Sequence, residues 1–183
     1  MKYTDRIMSI VTDALSRMEQ ITGQIEELDR RFKAEEIAGV DYQAQKAELL
    51  KQRDAARMEA TKLLRDTGEA YREAVEKGSE IDSSMLHDDA KLLQISGLNM
   101  TDKQFAALVE KHKDNTLMIQ LLQGYSERHT GLYAGSLPTV AARIAAFSGF
   151  VEAAQNTLRT PDSMQAAFFQ DGRYTPQICT ENE

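Results

Sequence analysis

The chain has 183 residues, 28% of them charged and 42% hydrophobic, with a formal net charge of −7. An acidic chain repels nucleic acid and anionic lipid through its overall field. Its single cysteine, Cys179, excludes an internal disulfide and a thiol-rich metal cluster. Three prolines, no tryptophan and abundant Ala, Glu, Gln, Lys, Leu and Met favour helix.

Asp5 and Asp13 interrupt the N-terminal stretch where a secretory leader needs an apolar run. The most apolar window, Val140 to Ala154, contains Arg143 and Glu152 and is too short to cross a bilayer. These features predict a cytoplasmic protein with no membrane partner.

In chain order, the first element is a long helix with a coiled-coil seam. Ile7, Val11, Ala14, Met18, Ile21, Ile25, Leu28 and Phe32 follow one another at steps of four and three. A spacing that averages 3.5 keeps a stripe on one side of a supercoiled helix for about four heptads. Gly39 is expected to end this helix and Asp41 to cap the next. The second helix is predicted to run to about Lys77, with Tyr42, Leu49, Ala56, Ala60, Leu63, Ala70 and Ala74 near one stripe. Leu50, Leu64, Tyr71 and Val75 widen it, while Lys46 and Arg53 interrupt it. Similar lengths suit an antiparallel hairpin. Large residues on the first helix facing alanines on the second bury modest area. Residues Ile7, Val11, Met18, Ile21, Ile25, Leu28 and Phe32 are therefore the expected interface with a second copy of the chain.

"EKGSEIDSS", residues 76–84, breaks the periodicity and predicts a domain boundary. A short helix over "MLHDDAKLLQIS" follows. "LNMTDKQF" is the clearest start signal: Thr101 and Gln104 have capping-box spacing, and Met100 and Phe105 staple spacing. Asp114 or Asn115 should cap a helix from Thr116 to His129. Pro138 suits the first turn of a helix reaching about Leu158, and Thr160 should cap a last short one. The expected organisation is residues 1–78 as a coiled-coil hairpin, 82–171 as a small helical bundle and 172–183 as an extended tail. The fold class is all-α.

The pair of helices over Met100 to His129 poses a question of function, because helix-turn-helix units read DNA. Such a reader needs polar or basic residues at the start of its second helix. Here that helix begins "TLMIQLLQGY", and Lys103, Lys111 and Lys113 lie beside Asp102, Glu110 and Asp114. The pair is therefore expected to be packing, with no nucleic-acid partner, and Gly124 to admit a close helix. "HDD", His87 to Asp89, is the best metal or acid–base candidate. Consecutive residues of a regular helix diverge by about 100° each, so these three cannot face one ion from such a helix. His112 and His129 fit the ends of helices, where imidazole interacts with the dipole. The expectation is no catalytic residue, no metal and no cofactor.

Leu98, Thr101, Phe105, Leu108, Glu110, Lys111, Lys113, Asn115, Met118, Leu121 and Tyr125 form a pattern over about 45 residues. It resembles uncharacterised helical proteins of the head-and-packaging modules of tailed phages and prophages. Asp102-Lys103-Gln104 departs from the acidic residues of that pattern, and the Ala-rich C-terminal helix is longer. The resemblance implies a virion-assembly or accessory role, in the host cytoplasm or the virion. The expected function is a non-enzymatic assembly protein that binds itself, or another phage or host protein. The alternative is an acidic regulatory or counter-defence protein that inhibits a host factor.

Overall fold

The computed structural model describes residues 2–80, 83–95, 97–129, 132 and 137–173. Every regular element among them is helical: α1 (Tyr3–Lys33), α2 (Gly39–Gly78), α3 (Asp102–Lys111), α4 (Thr116–Arg128), α5 (Val140–Arg159) and α6 (Met164–Gln170). Two 3-10 helices, Ser83–Met85 and Asp88–Gln94, lie between α2 and α3. The all-α expectation holds, and no described helix is long and apolar enough to cross a membrane.

The chain divides into two compact units. The first comprises Met1–Glu69 with Gly149–Thr175, and the second contains Ala70–Ser148. The boundary expected near residues 78–82 is therefore displaced, because a composition break marks the end of a helix and not the edge of a core. Residues 39–69 of α2 belong to the first unit and 70–78 to the second. The tail expected over 172–183 lies outside the described residues beyond position 173, as do Cys179 and most of the loop over 130–138.

In the first unit, α1 buries Ile7, Val11, Ala14, Ile21 and Leu28. From α2 come Ala56, Ala60, Leu64 and Thr67, from α5 Phe150, Val151, Ala153, Ala154, Thr157 and Leu158, and from α6 Ala166 and Phe169. Ala56 and Ala60 lie on the buried face of α2 as expected, and from residue 63 onward that face runs through the residues expected to widen the stripe. Leu64 is fully buried and Leu63 is 40% exposed. A one-residue step turns a helix face by about 100°, and farther along Tyr71 and Val75, larger than Ala70 and Ala74, are buried. Thr67 and Thr157 are buried with their hydroxyls donating to the carbonyls of Leu63 (2.7 Å) and Ala153 (2.9 Å) four residues back. Phe150 stacks on Phe169 with centroids 5.1 Å apart. Gly68 lies where a Cβ would stand 3.3 Å from a Val151 methyl.

The turn between α1 and α2 differs from expectation. Gly39 is the first residue of α2, and Glu35 takes the left-handed conformation at φ 58°. The Glu36 N–H bonds the Arg31 carbonyl and the Glu35 N–H the Phe32 carbonyl, each at 3.0 Å. This is a Schellman closure made without glycine. Lys46, an apparent interruption, has a specific partner: its ammonium lies 2.8 Å from Asp29 Oδ1. The Tyr42 hydroxyl donates to the same oxygen at 2.9 Å, and its ring stacks on Phe32 at 4.2 Å.

In the second unit, caps set the elements. Thr101 Oγ1 accepts the Gln104 N–H, and Gln104 Oε1 accepts the Thr101 N–H at 2.9 Å, completing the expected capping box. Asn115 Oδ1 accepts the Met118 N–H at 3.0 Å, while its Nδ2 donates to the Met85 carbonyl at 2.7 Å. Phe105, Met118, Ile119, Leu122 and Tyr125 form a core with Ala90, Leu93 and Leu137. Tyr71 stacks on Phe147 at 3.9 Å. The Tyr125 hydroxyl donates to the Leu98 carbonyl at 2.6 Å and accepts the Met100 N–H at 3.2 Å. Gly124 is not a close-approach point, since a Cβ there would meet nothing within 4 Å.

Two caps are corrected. Thr139 Oγ1 accepts the Ala142 N–H at 3.2 Å, so α5 starts after Thr139 with Pro138 outside it. Ser163, not Thr160, caps α6, accepting the Ala166 N–H at 3.1 Å. Thr160 instead donates to the Asn156 carbonyl at the end of α5.

Candidate functional site

The seam of α1 is largely spent inside the single chain. Ile7, Val11, Ile21 and Leu28 are between 0% and 7% exposed. Met18 and Ile25 are half-buried, and Phe32 is 40% exposed and stacked on Tyr42. For Ile7, Val11, Ile21 and Leu28 this corrects the expectation of facing a second copy, because their apolar area is already removed from water and they have little left to gain from a partner.

Met118, Ile119, Leu122 and Tyr125 of α4 lie in the core of the second unit with Phe105 of α3. The α1–α2 side of the first unit holds a cavity of about 600 Å³ whose lining includes Arg53, Arg57, Arg159, Glu19 and Asp162. Its charges are of both signs, and among the lining residues the Arg57 guanidinium is held by Asp54 at 3.0 Å.

A polar constellation that sequence reasoning dismissed forms in the second unit. His87 precedes the 3-10 helix Asp88–Gln94 with extended backbone, φ −91° and ψ 152°, and caps it. Its Nδ1 accepts the Asp89 N–H at 3.1 Å. This non-helical residue lets the His87 and Asp89 side chains converge, which consecutive helical positions forbid. His112 arrives as the C-cap residue of α3 and is 5% exposed. Its Nε2 lies 2.8 Å from Asp89 Oδ2, the atom that Lys111 Nζ also reaches at 2.7 Å. His87 Nδ1 stands 3.4 Å from the same oxygen. The two imidazole centroids are 4.7 Å apart.

Asp89 is the hub. The Lys111 ammonium, then the His112 ring, hold its carboxyl down to about 2, against the opposing effect of burial. It is an anion under all ordinary conditions. One potential ligand atom from each of His87, Asp89 and His112 lies within 4.8 Å of the others. Two imidazoles and a carboxylate can share protons or coordinate a cation. "HDD" was the one visible signal. The contribution of His112, 23 positions after Asp89, depends on how α3 folds back. His129 plays another part: its Nδ1 lies 2.9 Å from the Tyr125 carbonyl and its ring stacks on Tyr125 at 4.0 Å.

Comparison with known proteins returned no matching family model, no similar curated protein and no similar solved structure.

Proposed function

We propose that the chain is a non-enzymatic helical assembly protein that pairs with a second copy of itself, serving a phage or prophage particle or its accessory machinery. The observation that carries this reading is the outer face of α2. Val40, Ala44, Ala47, Ala55 and Met58 fall on one side of that helix and are all exposed. Val40 is 82% and Met58 70% exposed. Steps of three and four, with Lys51 and Lys62 in the same row, give a stripe that a partner helix can cover. Alanines permit close approach, and the exposed Glu48 beside the row suits those lysines across a pair of copies. Covering Val40 and Met58 recovers apolar area that the single chain leaves in water.

The resemblance to phage head-module proteins supports the setting and adds no site. Thr101 and Asn115 of its pattern are caps, and Phe105, Met118 and Tyr125 are core. They specify a fold.

Light scattering of the purified chain tests the proposal. A discrete oligomer that becomes monomeric in the Val40→Asp/Met58→Asp variant, with unchanged helicity, is the expected result. Both positions are exposed, so the fold tolerates the change. A wild-type chain that stays monomeric at high concentration overturns it and leaves the acidic regulator, with its net charge of −7, as the better reading.

A further inference from the structure

We infer that His87, Asp89 and His112 form a binding site for one late divalent transition-metal ion, for which zinc is the natural probe. Three observations converge on it, none of which depends on self-assembly through α2.

Geometry comes first. Two nitrogen or oxygen ligands of a tetrahedral ion, each bound at about 2.0–2.1 Å, stand about 3.3 Å apart. His87 Nδ1 and His112 Nε2 lie 3.4 and 2.8 Å from Asp89 Oδ2. The whole set spans no more than 4.8 Å. Closing the remaining gap needs a small turn of the His87 ring, which is free to move because its side chain is 46% exposed.

Electronics is the second. His87 Nδ1 accepts the Asp89 N–H and therefore carries a lone pair, not a proton. That lone pair and the Asp89 carboxylate oxygen are two electron-rich atoms sharing one space. A cation seated between them satisfies both. The Lys111 ammonium supplies part of that charge at 2.7 Å from Oδ2, but its side chain is 54% exposed and can swing into solvent. Metal binding exchanges this ammonium, the Asp89 N–H on His87 and the His112 Nε2–H bond to Asp89 for coordinate bonds, the Nε2 proton leaving to solvent or passing to the other ring nitrogen.

The ligand set is the third. Two imidazoles with one carboxylate suit zinc, cobalt, nickel or copper, whereas calcium and magnesium prefer all-oxygen shells. Three protein ligands leave a further position for water. His87 and Asp89 belong to the 3-10 segment and His112 to the end of α3, so the ion fastens one to the other. Ligand binding of this kind stabilises the folded chain by an amount that grows with the logarithm of the free ion concentration above its Kd.

The test is a zinc titration of the full-length, chelator-treated protein in competition with a chromophoric indicator, repeated with cobalt to read its visible absorption. One ion per chain is expected, with cobalt bands of low-coordinate nitrogen and oxygen ligation. His87→Ala should weaken zinc by about tenfold or more, the scale on which even outer-shell changes act. His112→Gln should do the same, and His129→Ala should leave binding unchanged. Lys111→Ala should tighten it by removing the competing ammonium. Circular dichroism checks the fold of each variant. If His112→Gln unfolds, His87→Ala decides, because that side chain is exposed. Absence of wild-type binding, or equal binding by the His87→Ala chain, overturns the inference.

Discussion

In the first unit, buried residues recur at steps of three, four and seven along a helix of 31 residues. In the second, helices of 10 and 13 residues begin at named polar side chains. Long helices gain stability from a continuous apolar face, and their ends matter little in proportion. A helix of three turns leaves a large share of its N–H and C=O groups unmatched, so Thr101 and Asn115 become structural determinants. The first unit is organised by stripes and the second by caps and a polar centre.

The strongest way to break that contrast is to open a hole in a stripe. Leu64→Ala should destabilise the protein by about 2–5 kcal/mol, since the side chain is fully buried and a cavity remains. Urea unfolding followed by circular dichroism measures it. Next in size, Tyr125→Phe should cost about 1–3 kcal/mol, because the Leu98 carbonyl and the Met100 N–H both lose their partner. The same unfolding curve reads it, and a negligible loss would show that the second unit does not depend on its polar ties. Gly124→Ala sharpens the comparison in the opposite direction. The added methyl meets nothing, and the residue sits inside α4, so a gain of about 0.5–1 kcal/mol is expected in thermal melts.

The smallest effect concerns acid. The Lys46 ammonium and then the Tyr42 hydroxyl hold the Asp29 carboxyl below its ordinary value of 3.8. A depressed folded value means that the stabilisation is complete above the unfolded value and is lost as pH falls through the folded one. Asp29→Asn should therefore flatten the acid limb of a melting-temperature profile recorded below about pH 5. An unchanged limb would remove Asp29 from the determinants of the first unit.

How much of this was legible in the sequence follows the same division. The α1 seam could be read because large apolar residues recur without interruption from Ile7 to Phe32. The face of α2 was placed correctly at Ala56 and Ala60 and off by one residue at Leu63, since Leu63 and Leu64, or Ala70 and Tyr71, satisfy the period equally and packing chooses between them. Thr101 and Gln104 announced a capping box because both partners are local. Glu35 gave no sign of its left-handed backbone, because the Gly39 nearby was the better conformer and the chain did not use it there. The contribution of α5 and α6 was beyond reach, because they bring buried residues of that unit from more than a hundred positions beyond α1. For His87, Asp89 and His112, the assumption of a regular helix hid the site. One extended residue before a 3-10 turn, together with a residue 23 positions beyond Asp89, brings the three together.

The half-buried Asp29, Lys46 and Tyr42 group has a consequence for how α1 and α2 are held lengthwise. Apolar stripes and buried threonines that bond their own helix tolerate sliding by a heptad, because leucine meets alanine much as before. A carboxylate that must meet one ammonium and one phenol does not. Sliding would break the carboxylate's ion pair and hydrogen bond together, so these three side chains act as the index mark that keeps the two long rods from settling into a neighbouring notch.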